Sequence, residues 1–410
     1  MIRSRFEFFV AARYLRAHRK QAVISVITVI SVLGVAAGVM ALVIAIAVTN
    51  GFRDTLERNL LGAMADINVI EKENNGIEDW EGMAARLRKV PHVTAVSPSL
   101  YLEVMLGGAI QQRAAVLKGV QIESELAVSQ MLRHLKAGSV DRLRDATANP
   151  PGIILGSSLV QEAGMMLNSN VDVVSETPTP VGPVYRAHRF RVCGIFESGF
   201  YDIDDAWAFT AITAAQRATS YQDVINQIEL KVDDVYRAPE IAKDVEKVAG
   251  KRYTTTTWQE RNKQLLGALS MERIVTMIVI GLILMVAALN IFITLVMMVM
   301  EKYRDIAILM SMGARISQVR RIFVVQGLLI GIVGSALGLA AGYSLSYFAD
   351  KYRWIPLDQS VYQLSFVPFE AHWVDGVWIA AVAILVSFLA TLYPARNAIR
   401  IAPAEVLRYE

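Results

Sequence analysis

The sequence predicts a membrane protein with four transmembrane α-helices, one before and three after a large α+β domain inserted between helices 1 and 2. Three observations predict it. Apolar runs occupy residues 22–48, 274–300, 322–348 and 374–392, and about 20 such residues cross a bilayer. Hydrophobic residues make up 54% of the 410 and charged residues 19%, too apolar for an ordinary soluble chain. The basic residues gather beside the apolar runs, where they set topology. With a net charge of only +3, they form no nucleic-acid surface.

In chain order, residues 1–21 are expected to form an amphipathic helix in the cytoplasmic interface. Ile2, Phe6, Phe9, Val10 and Ala17 share one side, with Arg3, Arg5, Arg13 and Arg16 elsewhere around it. The first span takes 22–49. It is too long for a signal-peptide core and no clean cleavage site follows. The inserted domain takes 50–270 and the second span 271–300. A cytoplasmic loop (301–321), the third span (322–348), an outer loop (349–373), the fourth span (374–393) and a cytoplasmic tail (394–410) complete the chain. Arg3, Arg5, Arg13, Arg16, Arg19 and Lys20 precede the first span. Lys302, Arg304, Arg315, Arg320 and Arg321 lie in 301–321, and Arg396, Arg400 and Arg408 in the tail. The outer loop has only Lys351 and Arg353, opposed by Asp350, Asp358 and Glu370. Both termini and the 301–321 loop are therefore expected in the cytoplasm, and the inserted domain outside it.

The third span carries Gly327, Gly331, Gly334, Gly338 and Gly342, and the first carries Ser31, Gly34 and Gly38. Small residues four apart let another helix approach closely. Asn290, the most polar residue of the second span, is expected to hydrogen-bond between helices. No ionisable group sits mid-span, which argues against proton or ion coupling. In the loop 301–321, Ile306, Leu309, Met310 and Ile316 form an apolar stripe at helical spacing. Gly313 breaks the run and Ser317 is a candidate cap for the helix that follows. The stripe suits either docking to a partner or lying on the membrane surface.

Within the inserted domain, strands are expected at 67–71, 100–106, 113–120, 171–175, 190–196 and 225–232, and helices at 79–90, 156–166 and 239–248. Between two of these strands, Pro178, Pro180 and Pro183 disfavour helix and hold the backbone extended or turned. No nucleotide site is visible: the one Gly-Lys pair, Gly250-Lys251, lacks the upstream glycine and is followed by Arg252. His18, His92, His134, His188 and His372 make no metal motif, and Asp202, Asp204 and Asp205 are expected in a solvated turn without calcium-loop spacing. Cys193, the only cysteine, sits in an apolar alternation and is expected to be a buried thiol. Neither a cofactor nor a metal is expected.

The loop EKYRDIAILMSMGA, the glycine-rich third span and the tail YPARNAIRIAPAEVLRYE resemble the FtsX-like permease half of the MacB-type ABC transporters. Residues 9–52 resemble the opening of the Lol lipoprotein-releasing permeases, the LolC, LolE and LolF group, and 152–175 resembles the sabre portion of the MacB-like periplasmic core. The resemblance implies a non-catalytic permease subunit in the bacterial inner membrane. It would pair with a second permease subunit (itself or a paralogue) and two copies of a LolD-like ABC ATPase that hydrolyses ATP. Its substrates would be outer-membrane-directed lipoproteins, drawn from membrane lipid and passed to a LolA-like periplasmic carrier.

The same resemblance assigns residues. ATPase coupling would fall on Ile306, Ile308, Leu309, Met310 and Gly313. Ile44, Val48 and Phe52, with Leu265, Leu269 and Ile274 opposite, would line the lipoprotein cavity. Pro178, Pro180, Val181, Gly182, Pro183 and Tyr185 would form the carrier-binding hook. Three acyl chains of about 15 methylenes carry roughly 35 kcal/mol of hydrophobic transfer energy at about 0.8 kcal/mol each, so release needs another apolar surface as acceptor. An FtsX-like regulator of a cell-wall enzyme and a MacB-type exporter of peptide or lipid are the alternatives.

Overall fold

Among the described residues of the structure, a computed structural model, four helices are long and apolar enough to cross a membrane: Ala22–Ala63, Lys263–Glu301, Ile316–Lys351 and Trp373–Asn397. The described residues are 22–397, except 74–75, 134, 146–147, 180–181, 220–222, 302–305, 307 and 309. The expected interfacial helix at 1–21, Leu309, Pro180, Val181 and the tail from 398 lie outside them. The chain divides into two units, one built on these helices and the other on Asp54–Ala268 with Leu357–Phe366.

In the helical unit the third span is the hub. Half of its most apolar window is buried, against 12% for the second span, so the second span presents most of its apolar surface outward. A Cβ on Gly334 would come within 2.7 Å of Val35, and one on Gly338 within 2.7 Å of Val39. One on Gly342 would come within 2.8 Å of Val43, and one on Gly331 within 2.7 Å of Ser387. The third span thus lies against the first along one glycine row and touches the fourth through Gly331. Gly327 is buried. On the first span, Gly34 faces Asn290 and Gly38 faces Ala287, both of the second span. Asn290 departs from expectation, because its Oδ1 accepts from Thr294 Oγ1 of its own helix at 3.5 Å. Its amide is seated over the space Gly34 leaves, where a side chain would collide.

Hydrogen bonds to residues 370–375 fasten three helix ends together. Glu370 N–H donates to Ala47 O at 2.9 Å, Asn50 Nδ2 donates to Asp375 Oδ2 at 2.7 Å, and Tyr343 Oη donates to His372 O at 2.7 Å. Between the first and second spans, Thr49 Oγ1 donates to Glu272 Oε1 at 3.2 Å. The third helix starts at Ile316 with Arg315 as its N-cap, where Gln318 Oε1 accepts from Arg315 N–H at 2.8 Å. Ser317 is therefore inside the helix and does not cap it.

The second unit is a ten-stranded sheet in the order β10-β1-β9-β2-β3-β8-β5-β7-β4, with β6 paired to β2 and β7. The strands are β1 (Ile67–Glu71), β2 (Val93–Gly107), β3 (Gln112–Val120), β4 (Leu135–Gly138) and β5 (Gly152–Gly156). They continue with β6 (Asn170–Thr179), β7 (Gly182–Phe196), β8 (Trp207–Ala211), β9 (Gln227–Val232) and β10 (Tyr253–Thr257). β3–β8 and β5–β7 are parallel, and the remaining pairs antiparallel.

Two apolar cores cover the sheet. One joins Ile67, Val69, Met83, Leu87, Ile228, Leu230 and Trp258 to helix Ala238–Ala249, whose Ile241, Ala242, Val245 and Ala249 recur at helical spacing. The other packs Leu106, Leu117, Ile153, Leu155, Phe190 and Val192 under helix Ser157–Ala163. β7 is legible from sequence only from 190, because its outer half carries exposed Arg186 and Arg189 in place of alternating apolar residues. β2 begins at Val93, well before 100, and buries Ser97 and Ser99.

The acidic cluster is not a solvated turn. Tyr201–Ala206 is a short helix in which Asp204 is buried, its Oδ1 accepting from Ser198 N–H at 2.7 Å. Asp205 pairs with Arg113 at 2.6 Å. Sequence could not show the Arg113 partner, since the Asp205 pair closes across 92 residues. Cys193 Sγ donates to Ile153 O at 3.4 Å, and burial pushes the thiol up to about 11. It should resist maleimide at pH 7.5 in the native chain and react once the chain is denatured. Equal labelling before and after denaturation would contradict the packing described.

Candidate functional site

Three surfaces carry the residues singled out from sequence. The first is the contact of the first and second spans. Ile44, Val48, Phe52 and Leu269 are half-buried and Ile274 is exposed. Leu265, also half-buried, falls in the other unit. A cavity of about 440 Å³ between these helices is lined by Gly34, Ala37, Gly38, Leu282, Val286 and Asn290 among others. Gly34, Gly38 and Asn290 are each legible in the sequence. That two small residues and one amide face each other requires the helix pairing.

Outward from this cavity, the second span exposes Met271, Ile278, Leu282, Met285, Val286, Leu289 and Ile293. Flexible, polarizable methionine among branched side chains suits a surface that receives chains of varied shape. From Ile274 to Met300 nothing ionisable interrupts the sequence of this span, so the surface can accept hydrocarbon.

The second surface is the loop after the second span. Ile306 is buried and packs with Val299, Val319 and Phe323, with Met310 partly buried against the same cluster. Ile306 therefore anchors the loop to its own helices instead of facing outward. Sequence periodicity shows that a stripe is apolar but not which of two apolar neighbours it meets. Outward faces instead belong to Ile308, 45% exposed, and Met312, 80% exposed. Met312 was missed, because it follows the stripe at the point where Gly313 turns the chain with φ +93°, a conformation that favours glycine.

The third surface is the β6–β7 hairpin. Its ladder continues out to Thr177↔Val184, Pro178↔Pro183 and Thr179↔Gly182, with Asp172 and Arg189 ion-paired across it at 2.9 Å. Tyr185 is 66% exposed near the end, beside exposed Val184. Two prolines opposite each other near the tip remove backbone donors there, which rigidifies the end and discourages edge pairing.

A long apolar helix set, a membrane-facing apolar surface and a large α+β domain with a projecting hairpin define the class. Residues 277–403 match the FtsX-like permease C-terminal family, and residues 28–248 match the MacB-like periplasmic core domain. The chain is thus a membrane permease with a periplasmic domain. It is 34% identical over 98% of both chains to the lipoprotein-releasing system transmembrane protein LolC of Xylella fastidiosa (strain 9a5c). Identity to the LolC of Neisseria meningitidis serogroup B is 30%, covering 98% of this chain and 99% of that one. Identity to the LolE of Haemophilus influenzae is 27%, over 98% of each. The chain belongs to the LolC/LolE family of lipoprotein-releasing permeases.

Proposed function

We propose that this chain is the permease subunit of a lipoprotein-releasing ABC transporter, lifting outer-membrane-directed lipoproteins from the inner membrane and delivering them to a soluble periplasmic carrier. The observation that carries this reading is relatedness over nearly the whole chain, both membrane and periplasmic parts, to LolC. The four helices cross the inner membrane in a one-plus-three arrangement with both termini in the cytoplasm, supported by the distribution of Lys and Arg along the sequence. Without a Gly-Lys nucleotide loop in the sequence, hydrolysis falls to a separate ATPase, two copies of which serve a pair of permease subunits. This subunit itself is non-catalytic.

The cargo problem is the transfer of acyl chains, and the uncharged outward surface of the second span with the adjoining cavity supplies an apolar acceptor. Ile44, Val48, Phe52, Leu265, Leu269 and Ile274 contribute at its outer end. The β6–β7 hairpin, residues 178–185, engages the carrier, with Tyr185 as its exposed aromatic contact. Reconstitution with the cognate ATPase should give ATP-dependent transfer of a lipoprotein to soluble carrier. No transfer, with ATPase activity intact, would sink the proposal.

Coupling to the ATPase runs through Ile308, Met310 and Gly313, with Leu309 a further candidate from sequence and Met312 added from its exposure. Ile308→Asp with Met312→Asp should lower permease-stimulated ATP hydrolysis about tenfold while leaving the thermal midpoint within a degree or two, since exposed substitutions cost about 0.5 kcal/mol or less. Ile306→Ala should do the reverse, costing about 2–4 kcal/mol of stability. Undiminished stimulation in the double variant would remove the coupling assignment.

A further inference from the structure

A buried ionic cluster lies inside the periplasmic domain. Lys118 of β3 is 2% exposed in its side chain, and its Nζ donates to Glu125 Oε1 at 2.6 Å and to Glu229 Oε2 at 2.9 Å. Tyr101 of β2 donates its hydroxyl to Glu229 Oε1. The Lys118 ammonium also lies 5.5 Å from the Tyr101 ring centre and 5.7 Å from that of Phe209. One ammonium thus faces two carboxylates shielded from bulk solvent, leaving one negative charge in excess if both ionise. Burying an uncompensated charge is costly, and a group in that position takes up a proton instead.

Geometry decides which carboxylate takes it. Both oxygens of Glu229 are occupied by donors, Lys118 and Tyr101. Glu125 has Oε1 on Lys118, but its buried Oε2 has no hydrogen-bond partner among the described residues. The groups facing Glu125 are Lys118 from β3, Glu229 from β9, and Ser97 and Tyr101 from β2. Glu125 sits on helix Ile122–Val128, and the residues just after that helix grip the end of Ala22–Ala63. Gln130 N–H donates to Gly62 O at 3.1 Å and Ser129 Oγ donates to Ala63 O at 3.4 Å. Those are terminal carbonyls of the kind a helix leaves without an internal partner.

We propose that Lys118, Glu125, Glu229 and Tyr101 form a proton-sharing lock in which Glu125 carries the proton, and that its release loosens residues 122–131 from the sheet and from the last carbonyls of the long helix. The lock is a regulatory device sensitive to the pH of the compartment outside the cytoplasm. It holds whether the cargo is lipoprotein or another apolar molecule.

Burial, opposed by Lys118, raises the Glu125 carboxyl to about 7. A raised carboxyl pKa contributes stability that is fully present below the unfolded value, near 4.5, and is lost as pH rises through the folded one. Opening of the segment should therefore become easier by about tenfold per pH unit across that window and level off above it.

The test is hydrogen exchange on the full chain in lipid nanodiscs between pH 5 and 8, corrected for intrinsic rates, reading peptides over 122–132. Wild type should lose protection as stated, and Glu125→Gln should keep it with a flat profile. A flat wild type, or the same slope in Glu125→Gln, overturns the proposal. If Glu125→Gln does not fold, infrared difference spectra of the wild type should show a carboxylic-acid carbonyl band that titrates near neutrality. Its absence overturns the proposal equally. In Glu229→Gln, Lys118 keeps Glu125 as its only carboxylate, and the band should vanish by about pH 6. A band that persists there assigns the proton elsewhere.

Discussion

Lys118→Met should destabilise the periplasmic domain by about 3–5 kcal/mol, the usual cost of removing one partner from a buried ion pair. The side chain is nearly isosteric, so lost packing contributes little. What remains is Glu125 and Glu229, both buried, with their common counter-charge gone. Burial alone would push Lys118 down, but Glu125 and Glu229 outweigh it and hold the ammonium charged far above neutrality. Losing that charge therefore falls on the two acids. The sign with pH is fixed. Without Lys118 the Glu125 carboxyl loses the ammonium that opposes its burial, protonation at low pH removes unpaired charge, and the deficit should shrink toward pH 5 and widen toward pH 8. Denaturant unfolding of the full chain, followed through periplasmic Trp207 and Trp258, gives the midpoints. A pH-independent deficit below about 1 kcal/mol would show that the ion pairs contribute little.

None of this cluster is visible in sequence. Tyr101, Lys118, Glu125 and Glu229 belong to four separate elements and meet only because the sheet places β9 beside β2 and β2 beside β3. The membrane helices are legible for the opposite reason. A bilayer imposes length and apolarity locally, residue by residue, and no distant contact is needed to satisfy it. Between these extremes lie features whose parts were readable and whose meeting was not. Gly34, Gly38 and Asn290 each stood out, yet their shared cavity depends on which helix faces which. Ile306 and Ile308 look alike in an apolar stripe, but one is buried under Phe323 and Val319 while the other faces outward. The β6–β7 hairpin announced its tip through prolines and concealed its arms, because exposed strands need no apolar alternation.

Gly338→Leu should be the most damaging single change in the membrane region. A Cβ at Gly338 would approach Val39 to 2.7 Å and Ala36 O more closely still, so neither helix backbone can remain in place. The contact is the middle of three. Gly334 on Val35, Gly338 on Val39 and Gly342 on Val43 advance by four residues on both helices together, so the pair shares one ridge and groove. A wedge at either end can be relieved by splaying one terminus. A wedge in the middle must lift the whole contact, with loss of the dispersion energy that holds helices together in lipid. Overpacking costs about 1–3 kcal/mol, and the lost contact adds to it, so the thermal midpoint should fall by roughly 5 °C or more. Gly281→Leu is the matched control, since a Cβ there meets nothing within 4 Å. Its midpoint should stay within about 2 °C of wild type. Equal midpoints for the two variants would mean that the first and third spans do not pack through this glycine row. If Gly338→Leu is destabilised but still transfers cargo at low temperature, close approach of these helices serves folding and not transport.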